Sequence, residues 1–319
     1  MVKKKNSMVG AVAVPVKRRG LWKTIWRYKW LYLMLVPVIA YYAIFKYAPM
    51  YGIVIAFQNY NVFKGVFGSE FIGLDVFKKI FAKTNFWTAI RNTIFLNFAT
   101  MVINFPLTII IALMLNELRN LRFKKLTQSV LYLPHFISWV VLVGIVQTFL
   151  SPSGGLINIV LEAMGKPSVA FLQKPEYFRT IIVATDVWKE TGWGTIMYLA
   201  ALSGINPELY EAAMIDGCGR MKMIRHITLP GIMNTVVVVF VMRMGVVLKN
   251  GFEQIFLLQN SLVLDVSEVF ETYTYRLGLI DGAYDIASAV GLLQSVVGFI
   301  LVITSNSLAR RFNEGGGVW

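Results

Sequence analysis

The chain has 319 residues, 56% of them hydrophobic and only 15% charged, with a formal net charge of +14. A soluble domain carries about a quarter charged residues, so this composition excludes an ordinary soluble enzyme and points to an all-α membrane protein with several spans. One cysteine and two histidines exclude an internal disulfide and leave no basis for a metal site.

In a soluble protein so basic a chain would raise the question of nucleic acid. Here the charge is distributed otherwise, and no nucleic-acid partner is expected. Residues 1–29 form a basic tail and an interfacial helix: Lys3, Lys4, Lys5, Lys17, Arg18, Arg19, Lys23, Arg27 and Lys29 stand there without one acid. No apolar stretch followed by a small-residue cleavage site marks it as a removable leader. Its charge keeps the N-terminus in the cytoplasm and draws it to anionic membrane lipid.

The first span is expected over residues 30–51, running outward, and an external segment continues to residue 85. A second span is expected over 86–116, longer than the ~20 residues a crossing needs, with Pro106 inside it and Arg119, Arg122, Lys124 and Lys125 at its inner end. The third is expected over 127–150, broken by Pro152-Ser153-Gly154-Gly155, and a short external helix over 156–164. The fourth covers 180–203, the fifth 227–248 and the sixth 284–308, with an acid-rich external segment at 249–283. Six spans with both ends inside put all four basic clusters on the cytoplasmic face. The resulting divisions are 1–29, 30–85, a core domain at 86–308 with a cytoplasmic loop at 206–230, and a tail at 309–319.

Ionisable groups at membrane depth are costly and are functional candidates by default. The fourth span carries Asp186, Lys189 and Glu190 between Trp188 and Trp193; the fifth carries Arg243 and ends near Lys249, Asn250 and Glu253. Helical spacing lets Asp186 neighbour Lys189 or Glu190. This group suits a water-filled pathway for a sugar, which offers hydroxyls to polar groups and C–H faces to rings. Arg243, Lys189 and Lys249 would also suit an anionic sugar such as a uronate. The alternative is interhelical packing, with Asp186 and Lys189 as a neutralised pair and Arg91 at an interface. His135 is expected to open a helix and His226 to lie at an interface.

The stretch from residue 206 to 230 differs from everything around it. Asn206-Pro207-Glu208 offers a cap, a proline at the first helical position and a first-turn acid. Gly217 and Gly219 close a helix expected over 207–216. Ala212, Ala213 and Gly217 let another backbone approach. Glu211-Ala212-Ala213, Asp216-Gly217 and Ile227-Thr228-Leu229-Pro230 stand at the spacing of the EAA loop, and the stretch resembles that loop of the permease subunits of ATP-binding cassette importers. Cys218 stands where Ala is usual, Ile224 where an aromatic is common and Asn234 where a second proline often follows.

The similarity continues through Trp188-Lys189-Glu190-Thr191-Gly192-Trp193 and Leu199-Ala200-Ala201-Leu202, which resemble the carbohydrate-uptake branch. Tyr28 to Tyr32, Pro49 to Gly52 and Tyr273 to Leu279 look like the subgroup serving complex oligosaccharides, uronate-rich ones among them. The resemblance implies a type I importer permease fold in which Glu211, Ala212, Ala213, Asp216 and Gly217 form a cytoplasmic coupling helix. It also implies a second, homologous permease, two ATPase subunits holding ATP and Mg, and an extracytoplasmic binding protein that delivers an oligosaccharide. This chain has no phosphate-binding loop of its own, so no cofactor and no catalysis are expected in it. An ion-coupled secondary transporter would carry inverted repeats, and none is visible. Within the importer class, another solute remains open from one sequence.

Overall fold

The structure, a computed structural model, describes residues 26–249 and 251–312 and separates into two compact units, Met1–Gly52 and Ile53–Trp319. Most of the basic N-terminal run, Trp22, Asn250 and the tail after residue 312 lie outside the described residues. The described chain is helical apart from one antiparallel ribbon, β1 (Gln58–Asn59) with β2 (Glu70–Phe71), in which Gln58 faces Phe71.

In the first unit, α1 (Lys29–Tyr42) is apolar all round and buries none of its side chains. Such a helix has lipid or another helix as its solvent. The Lys29 ammonium lies 5.0 Å from the Trp26 ring centroid and 5.5 Å from that of Trp30. Cation–π contacts of this kind belong at a membrane interface, where Trp rings sit at headgroup level.

The second unit is built on long helices. After α2 (Asp75–Phe81), α3 (Thr84–Asn116) runs unbroken through Pro106. It packs most extensively against α7 (Pro175–Ser203), which opens on Pro175. α9 (Leu229–Val246) packs against α13 (Tyr284–Phe312). Three apolar clusters fill the spaces, one around Phe86, Tyr273 and Val290, one around Leu96, Phe178 and Ile255, and one around Ala112, Tyr198 and Ile232. Polar ties cross between helices as well. Asn104 donates to Thr191 Oγ1 at 3.2 Å, and Gln294 donates to the Leu248 carbonyl. Inside a membrane such bonds satisfy groups that lipid would leave bare.

Four helical stretches are long and apolar enough to cross a membrane: Lys29–Phe57, Thr84–Asn116, Arg220–Val246 and Tyr284–Arg311. A bent pair makes a fifth when its two helices are taken as one span, and its bend corrects the expected continuous third helix. Residues 127–150 fall in two helices, α4 (Leu121–Tyr132) and α5 (Trp139–Phe149), joined by a 3₁₀ turn and bent by 95°. The cause is local. Pro134 removes a donor, and Ser138 turns its hydroxyl to the Val141 N–H at 3.3 Å, capping a new helix. α7 is as long as a span, but Asp186, Lys189 and Glu190 in its middle keep it out of the apolar class.

Residues 249–283, expected as an acid-rich external segment, are largely helical. They form α10 (Phe252–Leu258), α11 (Leu264–Ser267) and α12 (Phe270–Tyr275), and the short helix expected over 156–164 is α6 (Leu156–Ala163). Gln254 donates to the Ile182 carbonyl at 2.8 Å and to Thr185 at 2.6 Å. Asn92 holds the Asp265 and Glu268 carbonyls, and Arg276 forks onto the Glu268 carboxylate at 2.6 and 2.7 Å.

Burial pushes the Glu271 carboxyl up from 4.5 to about 7, against the pull of the Lys249 charge and the Phe252 N–H. Folded Glu271 therefore keeps its proton up to about pH 7, while the unfolded side chain releases it near 4.5. The fold binds more protons in that window, so this group's contribution to stability falls as pH rises through it and is constant on either side. The unfolding midpoint of the wild type in detergent should drop relative to Glu271→Gln across that window. A pH-independent difference would refute the burial.

Candidate functional site: a polar cavity and an exposed helix

Two sites lie on consecutive helices. The first is a cavity of about 310 Å³ enclosed by α3, α5, α7, α9 and α10, at the lower end of the ~300–1,000 Å³ typical of ligand pockets. Asp186 and Glu190, four residues apart on one face of α7, line it, and Arg243 of α9 lines it from across. Asn97 of α3, Trp139 of α5 and Gln254 of α10 complete its polar and aromatic lining. Three ionisable groups, amides and one indole thus converge on a space between helices.

The other expected pathway residues lie elsewhere. Lys189 is 5% exposed and does not reach the cavity. Its Nζ turns to the elbow between α4 and α5, donating to the His135 carbonyl at 2.6 Å and the Ile137 carbonyl at 2.7 Å. The expected Asp186–Lys189 pair is therefore replaced: Lys189 stands 3.9 Å from Glu190, and the carbonyls freed by the bend are its partners. Trp188 and Trp193 are largely exposed, and Trp193 stacks on His135 at 4.4 Å. Glu253 is exposed at the start of α10, and Asn250 is outside the described residues. His135 does stand in a helical turn, but its Nδ1 also meets Glu190 Oε2 at 2.9 Å. Trp139 lies outside the residues that the charge pattern singles out; its signal in the sequence is a Trp just after the Ser138 cap.

The second site is α8 (Pro207–Ile215), three residues beyond the end of α7. The Asn206 side chain accepts from the Glu208 N–H at 3.1 Å. At the other end the Gly217 N–H donates to the Met214 carbonyl and the Cys218 N–H to the Ala213 carbonyl, a Schellman stop with Gly217 at φ +72°. Tyr210 meets Thr228 at 3.0 Å, tying the helix to the start of α9. Glu211, Ala212, Asp216 and Gly217 are exposed and Ala213 is half-buried, with Leu209, Met214 and Ile215 exposed beside them. Glu211 makes no ion pair among the described residues. The result is a capped helix that exposes small residues and apolar side chains together.

Residues 104–314 match the family described as the binding-protein-dependent transport system inner membrane component. This chain belongs to that family. It is the membrane component of such a transport system, not the subunit that hydrolyses ATP. It is 43% identical to LplB of Bacillus subtilis (strain 168) over 290 residues, 91% of each chain. It is also 43% identical to the polygalacturonan/rhamnogalacturonan transport system permease protein YteP of the same organism, over 94% of each. Among solved structures, a chain of a bacterial alginate ABC transporter, in complex with alginate pentasaccharide-bound periplasmic protein, matches with a TM-score of 0.85 and 43% identity. That match covers 92% of this chain and 98% of the other.

Proposed function

We propose that this permease carries an oligosaccharide, delivered by an extracytoplasmic binding protein, through a pathway that passes the cavity between α3, α7 and α9. The observation that carries it is one continuous helix: α7 presents Asp186 and Glu190 to the cavity and leads within three residues into the exposed helix α8. Movement of α8 is thereby movement of a cavity wall. The relatives named for polygalacturonan and alginate support an acidic glycan.

The complex proposed has this chain, a second homologous permease and two ATPase subunits, which hold the ATP and Mg. Glu211, Ala212, Ala213, Asp216 and Gly217 dock on an ATPase. Asp186, Glu190 and Arg243 line the pathway, with Lys189 behind its wall. The chain crosses six times, counting α7 and the bent pair, with both termini cytoplasmic. It divides at 1–29, 30–85, 86–308 and 309–319. Burial of α7's charges against other helices and the cavity supports counting it as a span.

Co-purification from the native membrane tests the assembly: an ATPase and a second permease are expected. Recovery of the chain alone, transporting on an ion gradient after reconstitution, would replace this reading with a secondary transporter. Arg243 is the only cation lining the cavity among the described residues. A charged hydrogen bond is worth about 1.5–3 kcal/mol, so Arg243→Ala should cut uptake of an oligogalacturonate by about tenfold to a hundredfold. A neutral oligosaccharide of the same length should lose much less. Equal losses would remove Arg243 from charge recognition.

A further inference from the structure

The elbow of the bent span is held to α7 by more than packing. A break at membrane depth frees carbonyls that lipid cannot satisfy. Here they meet the three protons of one ammonium: Lys189 Nζ lies 2.6 Å from the His135 carbonyl, 2.7 Å from that of Ile137 and 3.4 Å from that of Pro134. It also lies 5.4 Å from the Trp139 ring centroid, on the first residue of the outgoing helix. The countercharge is Glu190, 3.9 Å away through Oε1, whose Oε2 meets His135. The His135 ring lies parallel on Trp193. Residues 189, 190, 192 and 193 of α7 thus all grip residues 131–139, because Gly192 brings its backbone against Leu131. A neutral cap would satisfy a helix end; a buried ammonium is costly at this depth and is retained for a function by default.

We propose that Lys189 is a positioning residue for transport, clamping the elbow to α7 so that the bent span and α7 move as one body. The step from there to the ATPases rests on α8 being the docking helix. α7 is unbroken from the clamp to Ser203, about 21 Å at 1.5 Å per residue. A displacement of α8 therefore reaches α5, the cavity wall bearing Trp139, through Lys189.

The test uses the assembled importer in lipid nanodiscs, with Cys218→Ala as background. Nitroxide labels go on Val140 of α5 and Met197 of α7, both more than half exposed. The probes are the nucleotide-free state and the state trapped with MgATP and vanadate. In the wild type the distance distribution should be the same in both states. In Lys189→Met it should broaden and shift between them. His135→Asn, which keeps the ammonium but loses the stack and the Glu190 contact, should do so to a smaller degree. It also serves if Lys189→Met does not assemble with the ATPases. A distance that changes between states in the wild type, or remains fixed in the variants that assemble, overturns the clamp. Failure of the docking assignment shows separately, as normal transport by Glu211→Lys.

Discussion

Gly192→Ala should give a protein that melts far below the wild type and no longer transports. A Cβ added there would overlap the Leu131 carbonyl oxygen and stand 3.2 Å from Leu131 Cβ. The obstacle is backbone in the last turn of α4, held by the Lys189 bonds just beyond it, so it has no rotamer by which to move aside. Over-packing costs typically 1–3 kcal/mol, and contact with pinned backbone places this change at the upper end, about 3 kcal/mol. Gly144→Ala is the control. Nothing lies within 4 Å of a Cβ there, and alanine is favoured over glycine in a helix by about 1 kcal/mol. Its midpoint in detergent should hold or rise. Equal midpoints for the two variants would mean that α4 and α7 do not touch at this point.

Glu211→Lys should leave the chain folded and inserted but uncouple it. Glu211 is exposed and has no ion pair among the described residues to lose, so stability should change by less than about 0.5 kcal/mol. Reversing its charge alters what α8 offers a partner. Gly217→Asp acts at the same surface from the other end, with an added cost of about 1 kcal/mol for a side chain at positive φ. Uptake per ATP hydrolysed by the assembled complex in proteoliposomes should fall about tenfold or more, the scale of a coupling between distant sites. Wild-type uptake by either variant would remove α8 from the docking role.

Helix α8 was almost fully legible in the chain. Its start, its glycine stop and its flanking Ile-x-Leu-Pro are local features, and the observed helix differs from the expected one only at Asp216. The cavity was legible in part. Asp186, Glu190 and Arg243 were visible as charges in apolar runs and do line one cavity. Trp188, Trp193 and Glu253 shared those runs but point elsewhere, because a helix three or four residues further on faces another neighbour. The bend in the third span was hidden by a composition that reads as one hydrophobic stretch. Its cause, Pro134 and Ser138, is local, but its support is Lys189, more than fifty positions away.

The amino-acid sequence by itself determined that this is a helical membrane protein, which way its charges bias it and where a short capped helix with an exposed face interrupts the apolar chain. Those properties follow from composition and from spacing within a turn or two. Only the tertiary structure decided which buried charge lines a cavity and which one caps a broken helix. Partners for an ionised side chain in an apolar interior are chosen by which carbonyls and carboxylates the fold brings within about 3 Å, and no periodicity in one segment encodes that distance.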